Sequence, residues 1–287
     1  TQIQEEINLL YDIFTREIAA QKVVESLLST LPTYLNHVKE NNKVLVQDLE
    51  RLSQTYLLPE TDASHVRRIQ ADLSALETAI LDVIEDQSEP TQAYSVLEEQ
   101  LEALQSQLKE IEDEQISVSQ RLAQVEKDDI NARQKANVYV NRLHTIKRYM
   151  EKRNLPGIPQ SFLKIFFTAS HNTEELMSEL EQELVDVESV NRILEIATND
   201  MEALEAETYN IVQYATLTEQ LLQYSNRYRS FDERIQEAFN ESLEIFEKEF
   251  DYHASFDKIS QALEVAEPGV TNRFVSSYEK TRETIRF

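Results

Sequence analysis

Residues 91–153 read TQAYSVLEEQLEALQSQLKEIEDEQISVSQRLAQVEKDDINARQKANVYVNRLHTIKRYMEKR, a stretch without glycine or proline. Alternating steps of three and four put Tyr94, Leu97, Leu101, Leu104, Leu108, Ile111, Val118, Leu122, Val125, Ala132, Ala136, Tyr139, Leu143, Ile146 and Met150 on one face. Only Gln115 and Asp129 break the register. Such a sustained heptad predicts one long α-helix, about 90 Å if unbroken, which is longer than one compact domain needs.

Upstream, Leu28, Leu31, Leu35, Val38, Asn42, Leu45, Leu49, Leu52 and Tyr56 repeat the same spacing until Pro59 ends it. Pro32 removes a backbone donor inside that helix, so a kink or short break is expected near residues 29–32. Thr61 or Asp62 can cap a second helix with Val66, Ile69, Leu73, Leu76, Ile80 and Val83 inward, ending near Gln87. Pro90 then suits the first turn of the long helix. Ile3, Ile7, Leu10 and Phe14 are already in helical rhythm and there is no initiator methionine, so the chain is expected to be cut from something longer.

Downstream, Asn154-Leu155-Pro156-Gly157-Ile158-Pro159 is a loop. Phe162, Leu163, Ile165, Phe166 and Phe167 are too apolar for a solvated linker and are expected to plug a bundle end. Helix resumes at Asn172 or Thr173, with Leu176, Leu180, Val187, Val190, Leu194, Ala197, Met201 and Leu204 inward. A fold-back is expected between residues 208 and 218, where Thr, Asn and Gln replace seam residues. An aromatic helix follows, carrying Leu221, Tyr224, Tyr228, Phe231, Ile235, Phe239, Leu243, Phe246, Phe250 and Phe256. Beyond Pro268-Gly269 a mildly basic segment, 271–287, spaces Phe274, Tyr278 and Ile285 helically.

The prolines at 59, 156–159 and 268 recur about every 100 to 110 residues, a period that suits a repeating unit of three helices. The fold expected is all-α, with tandem antiparallel three-helix bundles at residues 1–122 and 123–287 joined by the long shared helix. Asp129, Ala132 and Ala136 would lie where its packing partners change. A parallel two-stranded coiled coil is the competing architecture, but regularly placed turns argue against it.

The chain carries 28 Lys plus Arg against 53 Asp plus Glu, a net charge of -25, which reads as solvated helix faces. So negative a surface repels phosphate, and without Trp or a broad basic stripe nucleic acid is not an expected ligand. There is no cysteine, and no apolar run approaches a membrane span. The two glycines cannot form a phosphate-cradling loop, and His37, His65, His144, His171 and His253 lie apart without chelating spacing. No enzyme, cofactor or metal is therefore expected.

Two places depart from the acidic background. Arg142, Lys147, Arg148, Lys152 and Arg153 surround Glu151 at the end of the long helix, where cations also favour the helix dipole. The other runs Gln223-Tyr224-Ser225-Asn226-Arg227-Tyr228-Arg229-Ser230. On a helix, Tyr224 and Tyr228 would face the seam while Gln223, Asn226, Arg227 and Ser230 share the adjoining face, with Arg229 beside them. That surface could receive an acidic or extended peptide, or be ordinary helix surface.

These residues, the loop at 154–159 with Phe162 to Phe167, and the terminal Tyr278-Glu279-Lys280-Thr281-Arg282-Glu283 resemble the C-terminal half of the EzrA family of septation ring regulators. The resemblance implies an elongated array of spectrin-like repeats, tethered by an N-terminal membrane helix absent here and acting at the cytoplasmic face of the membrane at the septum. It implies a non-enzymatic adaptor that binds FtsZ and inhibits misplaced ring assembly, with FtsA and cell-wall synthesis proteins as associates. Gln223, Asn226 and Arg227 correspond to the family's recruitment motif, with Ser225 where relatives are expected to carry glycine. A structural spacer or homodimeric scaffold is the alternative, and the chain is expected to be a monomer or weak homodimer.

Overall fold

Heptad stripes bury only one side of each helix, so three such helices must close on each other to remove the stripes from water. The computed structural model describes residues 2–85 and 93–281. Its helices are α1 (Gln2–Leu52), α2 (Glu60–Glu85), α3 (Tyr94–Lys152), α4 (Gln160–Leu180), α5 (Val187–Ser225), α6 (Glu233–Glu244), α7 (Tyr252–Ala266) and α8 (Val270–Thr281), with a π-helical turn at Ile245–Glu249 after α6. Among the described residues the protein is all-α; the β-type pairing between Tyr56 and Val185 is an isolated bridge. No described helix is long and apolar enough to cross a membrane. The expectations for Gln87, Pro90 and Ile285 lie outside the described residues.

The chain divides into two compact units, Thr1–Asp128 with Glu183–Val187, and Asp129–Gln182 with Glu188–Phe287. In the first, side-chain bonds fix the helix directions. Tyr34 donates to Glu112 across 78 residues, Gln115 to the Val38 carbonyl across 77, and Arg51 to Glu126 across 75, so α1 and α3 run parallel. Arg68 meets Glu114 while Arg121, further along α3, meets the earlier Asp62, so α2 runs antiparallel to α3. Glu17 completes the unit by accepting from the Tyr94 backbone N–H at 2.8 Å and from the Ser95 hydroxyl, capping α3 with a carboxylate from α1. Those bonds, Ser95 first, hold the Glu17 carboxyl below its ordinary range.

The core is the one the register specifies: Leu31, Val38, Leu45, Leu52, Ile69, Ile80, Leu101, Leu108, Val118 and Leu122 are buried. Gln115, the register break, is buried too; its amide nitrogen bonds the Val38 carbonyl while Oε1 has no hydrogen-bond partner among the described residues. α1 passes through Pro32 without the expected break. Val24, Leu27, Leu31 and Leu35 are buried on both sides of the proline, and their burial offsets a proline cost of about 3 kcal/mol. Asp62 is not the α2 cap, since the helix begins at Glu60 and the Asp62 carboxylate faces Arg121.

In the second unit Tyr139 pairs with Thr198 and Arg142 with Glu205, so α3 and α5 are parallel. Asn172 meets Asp200 and Ser161 meets Glu207, so α4 is antiparallel to α5. Two expectations fail here. The apolar run is not a plug: α4 starts at Gln160, burying Phe162, Ala169, Thr173, Leu176 and Leu180 while Phe167 is 66% exposed. Nor does the chain fold back between 208 and 218, because α5 is continuous to Ser225. Thr208 and Thr218 are buried with satisfied hydroxyls, Thr208 donating to the Leu204 carbonyl and Thr218 to that of Tyr252, so polar residues do not end the helix. Breaks fall instead at 181–186 and 226–232.

Beyond those breaks, Leu217, Leu221, Ile235, Ile259, Leu263 and Val270 form the core of the C-terminal part. Ser242 and Ser255 satisfy each other between α6 and α7. At Phe250 the backbone enters the left-handed region, φ 58°, and its ring lies where a side chain on Gly157 would otherwise be, 2.4 Å from an added Cβ. The Tyr252 hydroxyl donates to the Gly157 carbonyl at 2.7 Å, fastening the 154–159 loop to the start of α7.

Candidate functional site

Of the expected peptide-binding residues, Gln223 lies on the last turn of α5, and Asn226, Arg227, Arg229 and Ser230 lie on the chain reversal that follows it, not on a helix face. α5 ends at Ser225, fully buried, its hydroxyl bonded to the Leu222 carbonyl. The backbone N–H groups of Tyr228 and Arg229 donate to the Ser225 carbonyl, and those of Phe231 and Asp232 to the Tyr228 carbonyl, which turns the chain within a few residues. Asp232 then caps α6 by accepting from the Arg234 backbone N–H at 3.1 Å. Its ion pair with the Arg234 side chain holds the Asp232 carboxyl below its ordinary range. Ser225 does not have a positive φ, so serine fits where relatives are expected to carry glycine without left-handed strain.

The reversal separates the residues into a supporting set and an exposed set. Arg229 is support: it donates to Asn226 Oδ1 at 2.9 Å and Gln236 Oε1 at 3.1 Å, with its guanidinium 3.7 Å above the Phe239 ring. Gln223, on the last turn of α5, and Asn226, Arg227 and Ser230 are exposed. The Arg227 guanidinium lies 4.6 Å over the Tyr224 ring and forms no ion pair with a described residue. Phe231, expected in the seam, is 79% exposed beside them. The exposed edge thus offers amide donors and acceptors, a cation, a hydroxyl and an aromatic ring, which suits recognition of a polar or acidic peptide more than bond-making chemistry.

Beneath it sits an anchor that sequence reading missed. Tyr224 and Tyr228 both donate to Glu267 Oε2 at 2.6 Å, and Arg273 donates to Oε1. Hydrogen bonds from Tyr224, then Tyr228 and Arg273, hold the Glu267 carboxyl down at about 2. The bond to Glu267 in turn pushes the Tyr228 hydroxyl up to about 12. Glu267 and Arg273 flank Pro268-Gly269, but nothing local in the sequence says which tyrosines they meet.

The Glu267 carboxyl titrates lower in the folded chain than in the unfolded one. Its stabilisation is therefore complete above the ordinary value of 4.5 and is lost as pH falls towards about 2. Tyr228 is raised, so its contribution is complete below the ordinary value of 10 and is lost as pH rises through about 12. Thermal melts between pH 5 and pH 2 (about that span) are expected to flatten in Glu267→Gln relative to the parent. An unchanged slope in that window would show that the carboxylate is not the anchor.

The family model described as "Septation ring formation regulator, EzrA" matches residues 1–278. The chain is 82% identical over 286 residues to proteins named septation ring formation regulator EzrA from Streptococcus pneumoniae strains Hungary19A-6 and D39 (serotype 2), covering 100% of this chain and 50% of each relative. It therefore spans about half the length of these curated relatives. No solved structure matches it. With a family match over nearly its whole length, the chain belongs to the EzrA family of septation ring formation regulators.

Proposed function

We propose that this chain is part of a non-enzymatic regulator of septation ring formation, acting at the division site by binding other division proteins. The observation that carries the reading is the family match together with the relatives' name. The up–down–up helix order within each unit supports tandem spectrin-like bundles as the architecture. By the resemblance already noted, FtsZ is the partner whose misplaced assembly is restrained, with FtsA and cell-wall synthesis proteins as further associates, and the parent protein is held at the cytoplasmic face of the membrane. Restraint follows if the chain binds subunits or short polymers in preference to lateral bundles.

Gln223, Asn226, Arg227 and Ser230 supply the contact edge, and Arg229 orients Asn226. In sedimentation of FtsZ polymers, added chain is expected to lower the polymer mass and to co-sediment; neither effect at any salt concentration would sink direct action. Asn226→Ala with Arg227→Ala in the parent protein is expected to abolish septal recruitment while leaving helicity and melting unchanged. Both residues are exposed, so a loss of fold stability in parallel would return them to a structural role.

A homodimeric scaffold has one observation in its favour. Ile3, Ile7, Leu10 and Phe14 form an apolar stripe of which each member is 52% exposed or more. Sedimentation equilibrium separates the readings: a single species of 33.4 kDa excludes the dimer.

A further inference from the structure

The second unit carries a groove that the septal edge does not use. It lies between the antiparallel α3 and α4, encloses 430 Å3, and has Val140, Leu143, Phe166 and Met177 as its apolar walls. These side chains are half-buried, neither closed into the core nor open to water. Phe166 is stacked on the buried Phe162 at 5.9 Å and meets the exposed Phe167 edge-on at 6.3 Å, so an aromatic ledge leads out of the groove.

The groove is electrically polarised. Lys147 lines one end and Glu181 the other, with Glu174 between them. Arg148 lies one turn beyond His144, itself a lining residue, and so flanks the cationic end. Lys147, Arg148, Lys152 and Lys164 are exposed and form no ion pair with a described residue; Glu151 is the acid among them. By contrast Arg142 is paired with Glu205, and Arg153 lies over the Tyr149 ring. On a chain of net charge -25, unpaired cations beside exposed aromatic surface are out of keeping with the rest of the molecule.

We infer that the α3–α4 groove is a docking site for an acidic amphipathic helix of a partner protein, whose apolar stripe fills the groove and whose acidic half lies against Lys147 and Arg148. Two antiparallel helices with half-buried apolar walls present the shape of an open bundle seam, which a further helix closes through anchors at i, i+3, i+4 and i+7. The opposed end, with Glu181, rejects acid there and so fixes the direction in which the helix lies. A lipid surface fits less well, since it is flat where the groove is concave and is repelled by the remaining charge. The site goes beyond the septal edge and shares none of its residues.

The test uses the whole chain and a fluorescein-labelled synthetic helical peptide with a Leu and Phe stripe, Glu in one half and Gln in the other. Controls are the scrambled sequence, a version with Lys in place of Glu, and phosphatidylglycerol–phosphatidylcholine vesicles. Fluorescence anisotropy is expected to give micromolar binding of the acidic peptide only, about 1 to 50 µM. Lys147→Glu with Arg148→Glu should weaken it about tenfold or more and let the Lys peptide bind instead. Phe167→Ala, at a position 66% exposed and so safe for folding, should weaken it about threefold or more. Equal binding of the scrambled peptide, indifference to charge reversal, no binding at about 200 µM, or capture by vesicles in place of peptide would each overturn the proposal. Far-UV circular dichroism of the reversed variant, expected to match the parent, separates loss of docking from unfolding.

Discussion

Tyr252→Ala is expected to destabilise the second unit by about 3–5 kcal/mol, the range for emptying a buried aromatic site. Tyr252 is 2% exposed, and its ring packs edge-on to Phe246 at 5.0 Å. Its hydroxyl holds the Gly157 carbonyl, and its own carbonyl accepts from Thr218 on α5. The side chain thus fastens the 154–159 loop to the start of α7, while the main-chain carbonyl, which alanine keeps, ties α7 to α5. Tyr252→Phe keeps the ring and removes only the hydroxyl, at an expected cost of about 1 kcal/mol. Urea denaturation followed by tyrosine-independent far-UV circular dichroism distinguishes the two. If Ala and Phe cost the same, the hydroxyl bond and not the packing carries the effect.

The double substitution Leu101→Ala with Leu108→Ala is expected to unfold the first unit. Both side chains are 0% exposed, and each cavity costs about 2–5 kcal/mol. They lie two turns apart, about 10 Å, so the costs add to about 4–10 kcal/mol, against about 5–15 kcal/mol for a whole domain. Amide hydrogen exchange should lose protection in α1, α2 and residues 94–128 while α5 to α7 stay protected. Loss throughout the chain would mean that the two units unfold as one, and retention throughout would mean that the α3 seam is not the centre of the first unit's core.

The α3 seam was legible because burial there follows a period that the sequence repeats many times, so single exceptions stand out. Gln115 was such an exception and could be located but not explained, since its bond goes to the Val38 carbonyl on another helix. The start of α4 was present in the spacing of Phe162, Ala169, Thr173, Leu176 and Leu180, but the contiguous apolar run obscured it. The break at 181–186 has no glycine or proline, and what holds it is backbone pairing of Val185 with residues far earlier in the chain. Likewise the reversal after Ser225 reads as helix because it holds no glycine or proline and Tyr224, Tyr228 and Phe231 continue the helical spacing; only Asp232, a sound N-cap, marks the restart. The residues of the candidate edge were identifiable by composition, but their division into the exposed Arg227 and the supporting Arg229 depended on the turn.

The bridge at Val185 has a bearing on synthesis as well as on shape. The Val185 N–H donates to the Thr55 carbonyl, and the Leu57 N–H to the Val185 carbonyl, both at 2.9 Å, within the first unit. A ribosome makes residues 129–182, which belong to the second unit, before it makes this pairing partner. The first unit therefore cannot complete its backbone bonding until residue 187 has cleared the exit tunnel, and the N-terminal half waits for the C-terminal half to begin.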